Sequence, residues 1–129
     1  MTDSQPPEYG DPISAPFWAA AREHRLVLQR CTSCSQAQFY PRPYCIACQG
    51  DVAWVDASGL ATVHSQTTVE LQMLPDVPPP YVVAVVQLDE GPRMTTRIVD
   101  GETTIGDRVT VTWQDRPDAP PLPLFAPLS

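Results

Sequence analysis

A chain of 129 residues, 43% of them hydrophobic, has room for one ordinary domain, or for a metal-stapled unit beside a second small core. Sixteen prolines exclude a helical protein, and the longest apolar run, Tyr81 to Val86, is far shorter than the ~20 residues of a membrane-spanning helix. A net charge of −7 disfavours partners that present a phosphate backbone, although all eight basic residues are arginine, which suits fixed contacts to phosphate or carboxylate.

Residues 1–12 are polar, proline-dotted and acidic, and read as a flexible arm. They hold no basic stretch followed by an apolar one, so no signal peptide is read and the expected location is the cytoplasm. Ser14 or Ala15 then opens a short helix with Pro16 in its first turn, where the missing N–H costs little. Phe17, Trp18, Ala20 and Ala21 give it an apolar side, Arg22, Glu23 and Arg25 face outward, and His24 suits its C-terminal end. So short a helix must pack on something. Phe17 and Trp18 therefore stand as candidates both for the domain's own core and for docking on a partner.

Leu26-Val27-Leu28-Gln29-Arg30 reads as a strand running into Cys31-Thr32-Ser33-Cys34, and ten residues later comes Cys45-Ile46-Ala47-Cys48. These are the only four cysteines, and a reducing compartment disfavours pairing them as disulfides. Two C-x-x-C knuckles facing each other place four thiolates around one metal. Such a closed site leaves no position for water or substrate, so Cys31, Cys34, Cys45 and Cys48 are expected to hold a structural Zn²⁺, with iron the alternative in the same four sulfurs. Gln38-Phe39-Tyr40 returns from the first knuckle, Pro41-Arg42-Pro43-Tyr44 stiffens the approach to the second, and Val52-Ala53-Trp54-Val55 leaves it. Strand, knuckle, strand, knuckle, strand is the order of a zinc ribbon, here spanning 13–56 together with the helix.

Beyond Asp56 the pattern is β. The stretch 59–69 reads as a bent strand, 74–80 as a proline-rich loop, and Tyr81-Val82-Val83-Ala84-Val85-Val86-Gln87-Leu88 as a buried central strand. Asp89-Glu90-Gly91-Pro92 turns into a strand over 93–99, and Arg108-Val109-Thr110-Val111-Thr112-Trp113 alternates as the last. The expected class is mostly β: a short helix, a zinc ribbon, then a small five-stranded barrel of the OB type over 57–115. The segment 116–129 is read as an extended tail outside the sheet, because its prolines lack N–H donors. Leu124 and Phe125 on it look made for a groove, so they join Phe17 and Trp18 as candidate docking residues.

Taken together these parts resemble a bacterial and archaeal family that joins a rubredoxin-like zinc ribbon to an OB-fold and accompanies acyl-CoA enzymes. The likeness rests on Pro16-Phe17-Trp18, the run from Leu26 to Cys34, Pro41-Arg42-Pro43 before Cys45, and Gly59. It continues through Pro80-Tyr81-Val82-Val83-Ala84-Val85-Val86-Gln87-Leu88-Asp89-Glu90-Gly91, Ile105-Gly106-Asp107-Arg108-Val109 and Phe125-Ala126-Pro127. Ser35 stands where such knuckles often carry glycine, and Gly50 follows Cys48 by two residues rather than one. The resemblance implies a non-catalytic partner of a thiolase-fold enzyme: a thiolase, an acyl transferase or a retro-aldol lyase acting on steroid side-chain CoA thioesters. It further implies a heterotetramer of two plus two subunits, with acyl-CoA as a ligand this chain helps to hold.

The residues themselves offer little for catalysis. All the thiols are committed to metal, adjacent His64 and Ser65 point to opposite faces of a strand, and Asp89 and Glu90 diverge in a turn. Arg93 and Arg97 project from one strand face and, with Arg42 between its two prolines, are the candidate contacts for anionic groups of CoA. Another reading, an OB-fold binding single-stranded nucleic acid, needs a basic groove with stacking aromatics. Residues 59–113 carry Arg93, Arg97 and Arg108 against seven acids, with only Tyr81 and Trp113 as aromatics, so no nucleic-acid partner is expected.

Overall fold

The computed structural model describes residues 11–73 and 77–128; residues 1–10 of the arm expected over 1–12 and part of the proline-rich loop lie outside them. Helix α1 (Ala15–Ala21) begins at Ser14, with Pro16 in its first turn. Asp11 supplies the cap: its carboxylate accepts the Ser14 N–H at 2.8 Å and its carbonyl accepts the Ala15 N–H at 3.0 Å. Phe17, Ala20 and Ala21 recur at helical spacing and are buried. His24 lies beyond the helix in the left-handed region (φ 57), where it stacks on Trp113 at 5.6 Å and meets Asp115 at 2.8 Å. It thus pins the helix exit to the barrel rather than serving the helix terminus.

The ribbon sheet consists of β1 (Val27–Cys31), β2 (Ala37–Gln38) and β3 (Val52–Asp56), antiparallel in the order β2-β1-β3. Its register places Gln29 opposite both Gln38 and Trp54.

Five further strands close a barrel in the order β4-β5-β6-β8-β7: β4 (Leu60–Val69), β5 (Tyr81–Leu88), β6 (Arg93–Ile98), β7 (Arg108–Arg116) and β8 (Ala119–Pro127). The first of them is long enough to pair with β7 at its start and with β5 throughout, bending at a register shift around His64. Gly59 makes its entry: φ is +82°, and a Cβ there would sit 2.7 Å from Val111 Cγ1. Across the barrel mouth Arg108 grips Asp89 with both guanidinium nitrogens, at 2.7 and 2.9 Å.

The fifth strand corrects the sequence reading. The segment expected as a tail is β8, hydrogen-bonded to β7 from Arg116↔Ala119 to Val109↔Pro127. Alternation resolves the proline objection. Leu128 N–H bonds back to Arg108 on β7, whereas the Phe125 carbonyl accepts Val99 N–H on the β6 side. From Leu122 onward the even-numbered residues therefore turn their N–H toward β7, and Pro121, Pro123 and Pro127 lose theirs on the other edge, while Pro120 falls at the register shift between Gln114 and Arg116. There the pairing with β6 is parallel and sparse, a single register point at Ile98↔Phe125. Thr96 supplements it by donating its buried hydroxyl to the Pro123 carbonyl at 2.9 Å.

Phe125 is fully buried and Leu124 is 7% exposed, while Phe17 is 4% exposed. These three are core, not docking surface, because the strand and helix that carry them complete the chain's own interior. One cluster joins Phe17, Leu26, Val27 and Leu28 to Val63, Val86, Leu88, Val109 and Phe125, so ribbon and barrel share a core across 56–57. No helix among the described residues is long and apolar enough to cross a membrane. Phe125→Ala is expected to lower stability by about 3–5 kcal/mol through the cavity it leaves, read as a shift of the urea midpoint; a tail residue would change it by under about 0.5 kcal/mol.

Candidate metal centre and the surfaces around it

Both knuckles are built by local backbone geometry. In the first, the N–H groups of Ser33 and Cys34 point at Cys31 Sγ, each at 3.3 Å; in the second, Ala47 N–H points at Cys45 Sγ at 3.3 Å. Each turn is then reversed by a left-handed residue, Ser35 (φ 66) and Gln49 (φ 65), at the positions where glycine would be unstrained. Gly50 instead serves close approach: a Cβ on it would lie 3.3 Å from the sulfurs of both Cys31 and Cys48.

The four sulfurs lie within 4.8 Å of one another, with Cys31–Cys48 at 3.4 Å and Cys34–Cys45 at 3.7 Å. A tetrahedral tetrathiolate with metal–sulfur bonds of about 2.3 Å has edges of about 3.8 Å, so the set fits one metal ion. Its proton chemistry agrees. The N–H groups of Cys34 and Ser33 pull the Cys31 thiol down to about 6, and the Cys48 N–H lowers Cys45. Cys48 accepts from the Gly50 N–H, which favours its thiolate, yet the sulfurs of Cys31 and Cys34 push it up to about 12. A dication among the sulfurs removes that competition and lets all four act as thiolates.

Behind the second knuckle is a feature the sequence reading missed. Gln29 and Gln38 are 3% and 4% exposed. Gln29 accepts Arg42 N–H and donates to Arg42 C=O, both at 2.8 Å. Gln38 donates to Gln29 Oε1 (2.8 Å) and to Tyr44 C=O (3.2 Å), and accepts Ile46 N–H (3.1 Å). Their positions on strands next to the knuckles were the available signal, but burial follows only from the register that pairs them.

The remaining candidates are scattered. Arg97 is half-buried, donates to Gln114 Oε1 at 2.6 Å, and lines a largely apolar cleft of about 570 Å³ between α1, Phe39 and the β6–β8 wall, where Trp18 is also found. Arg93 is exposed and lines a different groove, between ribbon and barrel, together with Arg30. Arg42 borders neither. His64 and Ser65 are both exposed at the bulge and share no hydrogen bond.

Replacing Cys31 by serine removes the thiolate that two N–H groups address. Bound metal should fall from one ion per chain to under about a tenth, measured by elemental analysis, with hydrogen exchange across 27–56 accelerating; retention of a full complement of metal would contradict the tetrathiolate assignment. Ser35→Gly relieves a left-handed residue and should raise stability by up to about 1 kcal/mol, read by chemical denaturation of the metal-loaded chain.

Comparison with known proteins completes the picture. A family model for the rubredoxin-like zinc ribbon domain of ChsH2 matches residues 18–54, and one for the ChsH2 C-terminal OB-fold domain matches 54–114. A DUF35 domain-containing scaffold protein of Methanothermobacter thermautotrophicus is 31% identical over 100 residues, covering 72% of this chain and 74% of its own. A probable enoyl-CoA hydratase alpha subunit of Thermomonospora curvata is 37% identical over 86% of this chain, which spans 36% of that protein's length. Among solved structures, one described as the Ltp2-ChsH2(DUF35) aldolase has a chain 33% identical to this one, with a TM-score of 0.84 and coverage of 95% and 98%. A DUF35-family protein from Sulfolobus solfataricus shares the fold at 18% identity, with a TM-score of 0.64 over 81% of this chain and 80% of its own. With ribbon and barrel matched in order, this chain belongs to the ChsH2-type DUF35 family of zinc-ribbon and OB-fold proteins.

Proposed function

We propose that the chain is a non-catalytic accessory subunit of a thiolase-fold acyl-CoA enzyme, a thiolase, acyl transferase or retro-aldol lyase, which it stabilises and whose CoA thioester it helps to hold. The observation that carries this reading is the near full-length likeness to a chain of an aldolase described as Ltp2-ChsH2. The Methanothermobacter relative is described as a scaffold protein and the Thermomonospora one as a hydratase subunit, the latter keeping the proposal within acyl-CoA chemistry. Steroid side-chain CoA thioesters are the proposed substrates of the partner, and two plus two subunits the proposed assembly, in the cytoplasm.

The metal in this reading is Zn²⁺ and its role is structural. Four sulfurs fill a tetrahedral shell and leave no site for a substrate or water, and the thiols that would otherwise be nucleophiles are consumed by it. Arg93 and Arg97, on the outer face of β6, are the proposed contacts for the anionic groups of CoA. Arg97, already oriented by Gln114 at the edge of an apolar cleft, is the better placed of the two.

Two measurements test the proposal. Co-expressed with a thiolase-fold acyl-CoA enzyme from the same genome, the chain should co-elute as one complex, whereas separate elution at micromolar concentration would refute the assignment. Purified alone, it should turn over no acyl-CoA by a thiol-release or aldehyde-release assay; cleavage that survives repurification would make it an enzyme in its own right.

A further inference from the structure

We infer that the ribbon loop 40–46 is the surface on which the enzyme subunit docks, and that it fits a partner face combining an apolar patch with a carboxylate. This rests on the accessory-subunit reading above and names its interface. Of the anchors that sequence alone nominated, Phe17, Leu124 and Phe125 are spent on the chain's own core, and Trp18 lies in the cleft beside Arg97.

Exposure and composition single out the loop. Tyr40, Tyr44 and Ile46 are 58%, 51% and 61% exposed, and Arg42 projects among them. Tyrosine and arginine on a rigid support are the residues that dominate binding energy at protein interfaces. Large apolar side chains this exposed, on a segment this short, need a reason beyond solubility.

Rigidity is the second observation. The glutamine pair Gln29 and Gln38 spends its buried amides on the backbone of Arg42, Tyr44 and Ile46, and Cys45 ties the same loop to the metal. Burying two amides is costly unless they are satisfied. Here their satisfaction immobilises a surface loop, which lowers the entropy lost when that loop meets a partner.

Charge selects the kind of partner. Residues 24–50 contain Arg25, Arg30 and Arg42 and no acid at all, in a chain whose net charge is −7. Arg25 is paired within the chain, with Glu23 and Asp56. The Arg42 guanidinium has no hydrogen bond or ion pair among the described residues, so a carboxylate on the enzyme is its complement.

The test uses the full, metal-loaded chain and a thiolase-fold acyl-CoA enzyme from the same genome, with affinity measured by surface plasmon resonance at two ionic strengths. Arg42→Glu should weaken binding at least about tenfold, and the double variant Tyr44→Ser with Ile46→Ser by a similar factor. Arg42→Gln should flatten the salt dependence of the association rate. All are surface changes, and unaltered circular dichroism and metal content verify the fold. Leu71→Ser, an exposed apolar residue of the loop after β4, should stay within about twofold of wild type. Wild-type binding with loop variants that bind equally well would overturn the docking surface and leave the subunit reading intact. No binding by the wild type would instead overturn the subunit reading, and this inference with it. A homodimer that Arg42→Glu dissolves into monomers would assign the loop to a second copy of the chain rather than to the enzyme.

Discussion

Four thiolates confined within a few ångströms repel one another, and the ribbon's order depends on offsetting that repulsion. Little else could hold it: β2 is two residues long, and each knuckle ends in a non-glycine residue forced into the left-handed region. The N–H groups aimed at Cys31 and Cys45 lower the cost of the charged sulfurs, and a dication supplies the rest. Order then spreads in two directions. Through Cys45 it reaches the glutamine-clamped loop, and through β1 it reaches the core shared with the barrel.

The parts of this structure legible in the sequence are those fixed by local spacing. Two C-x-x-C pairs ten residues apart specify a metal site, and the β-rich stretch from Tyr81 to Leu88 specifies its strand without error at either end. The parts that were not legible depend on what lies across the sheet. Counting prolines in 119–127 says that N–H donors are missing, but not on which edge; only the pairing with β7 shows that three of the four losses fall on the side where few bonds are needed and the fourth, Pro120, at a register shift. Phe17 and Phe125 illustrate another limit. An apolar ring reads the same whether its cover is the same chain or another, and the closed order of the barrel decides it. Gln29 and Gln38 are the converse, polar residues that a strand pattern assigns to solvent and that register pairing buries.

The division of labour that emerges is one of placement. The conspicuous sulfur chemistry is used up in shaping the chain, while the groups free to meet other molecules lie on surfaces which that shape presents: the outer face of β6, the cleft beside Trp18, and the loop between the knuckles. The proposed accessory role needs no more than this, since holding a thioester and steadying an enzyme are both matters of position.

The place of β8 in the barrel also sets an order of events during synthesis. The ribbon draws its strands from residues 27–56, so its contacts are available early and are local. The barrel cannot close until residues 119–127 have left the ribosome, because β8 is inserted between β6 and β7 and no earlier segment fills that gap. Until then the rims of β6 and β7 stand unpaired and the pocket for Phe125 is empty, the kind of exposed edge and apolar surface on which nascent chains associate wrongly. Metal capture by the ribbon can thus precede completion of the shared core, which waits for β8.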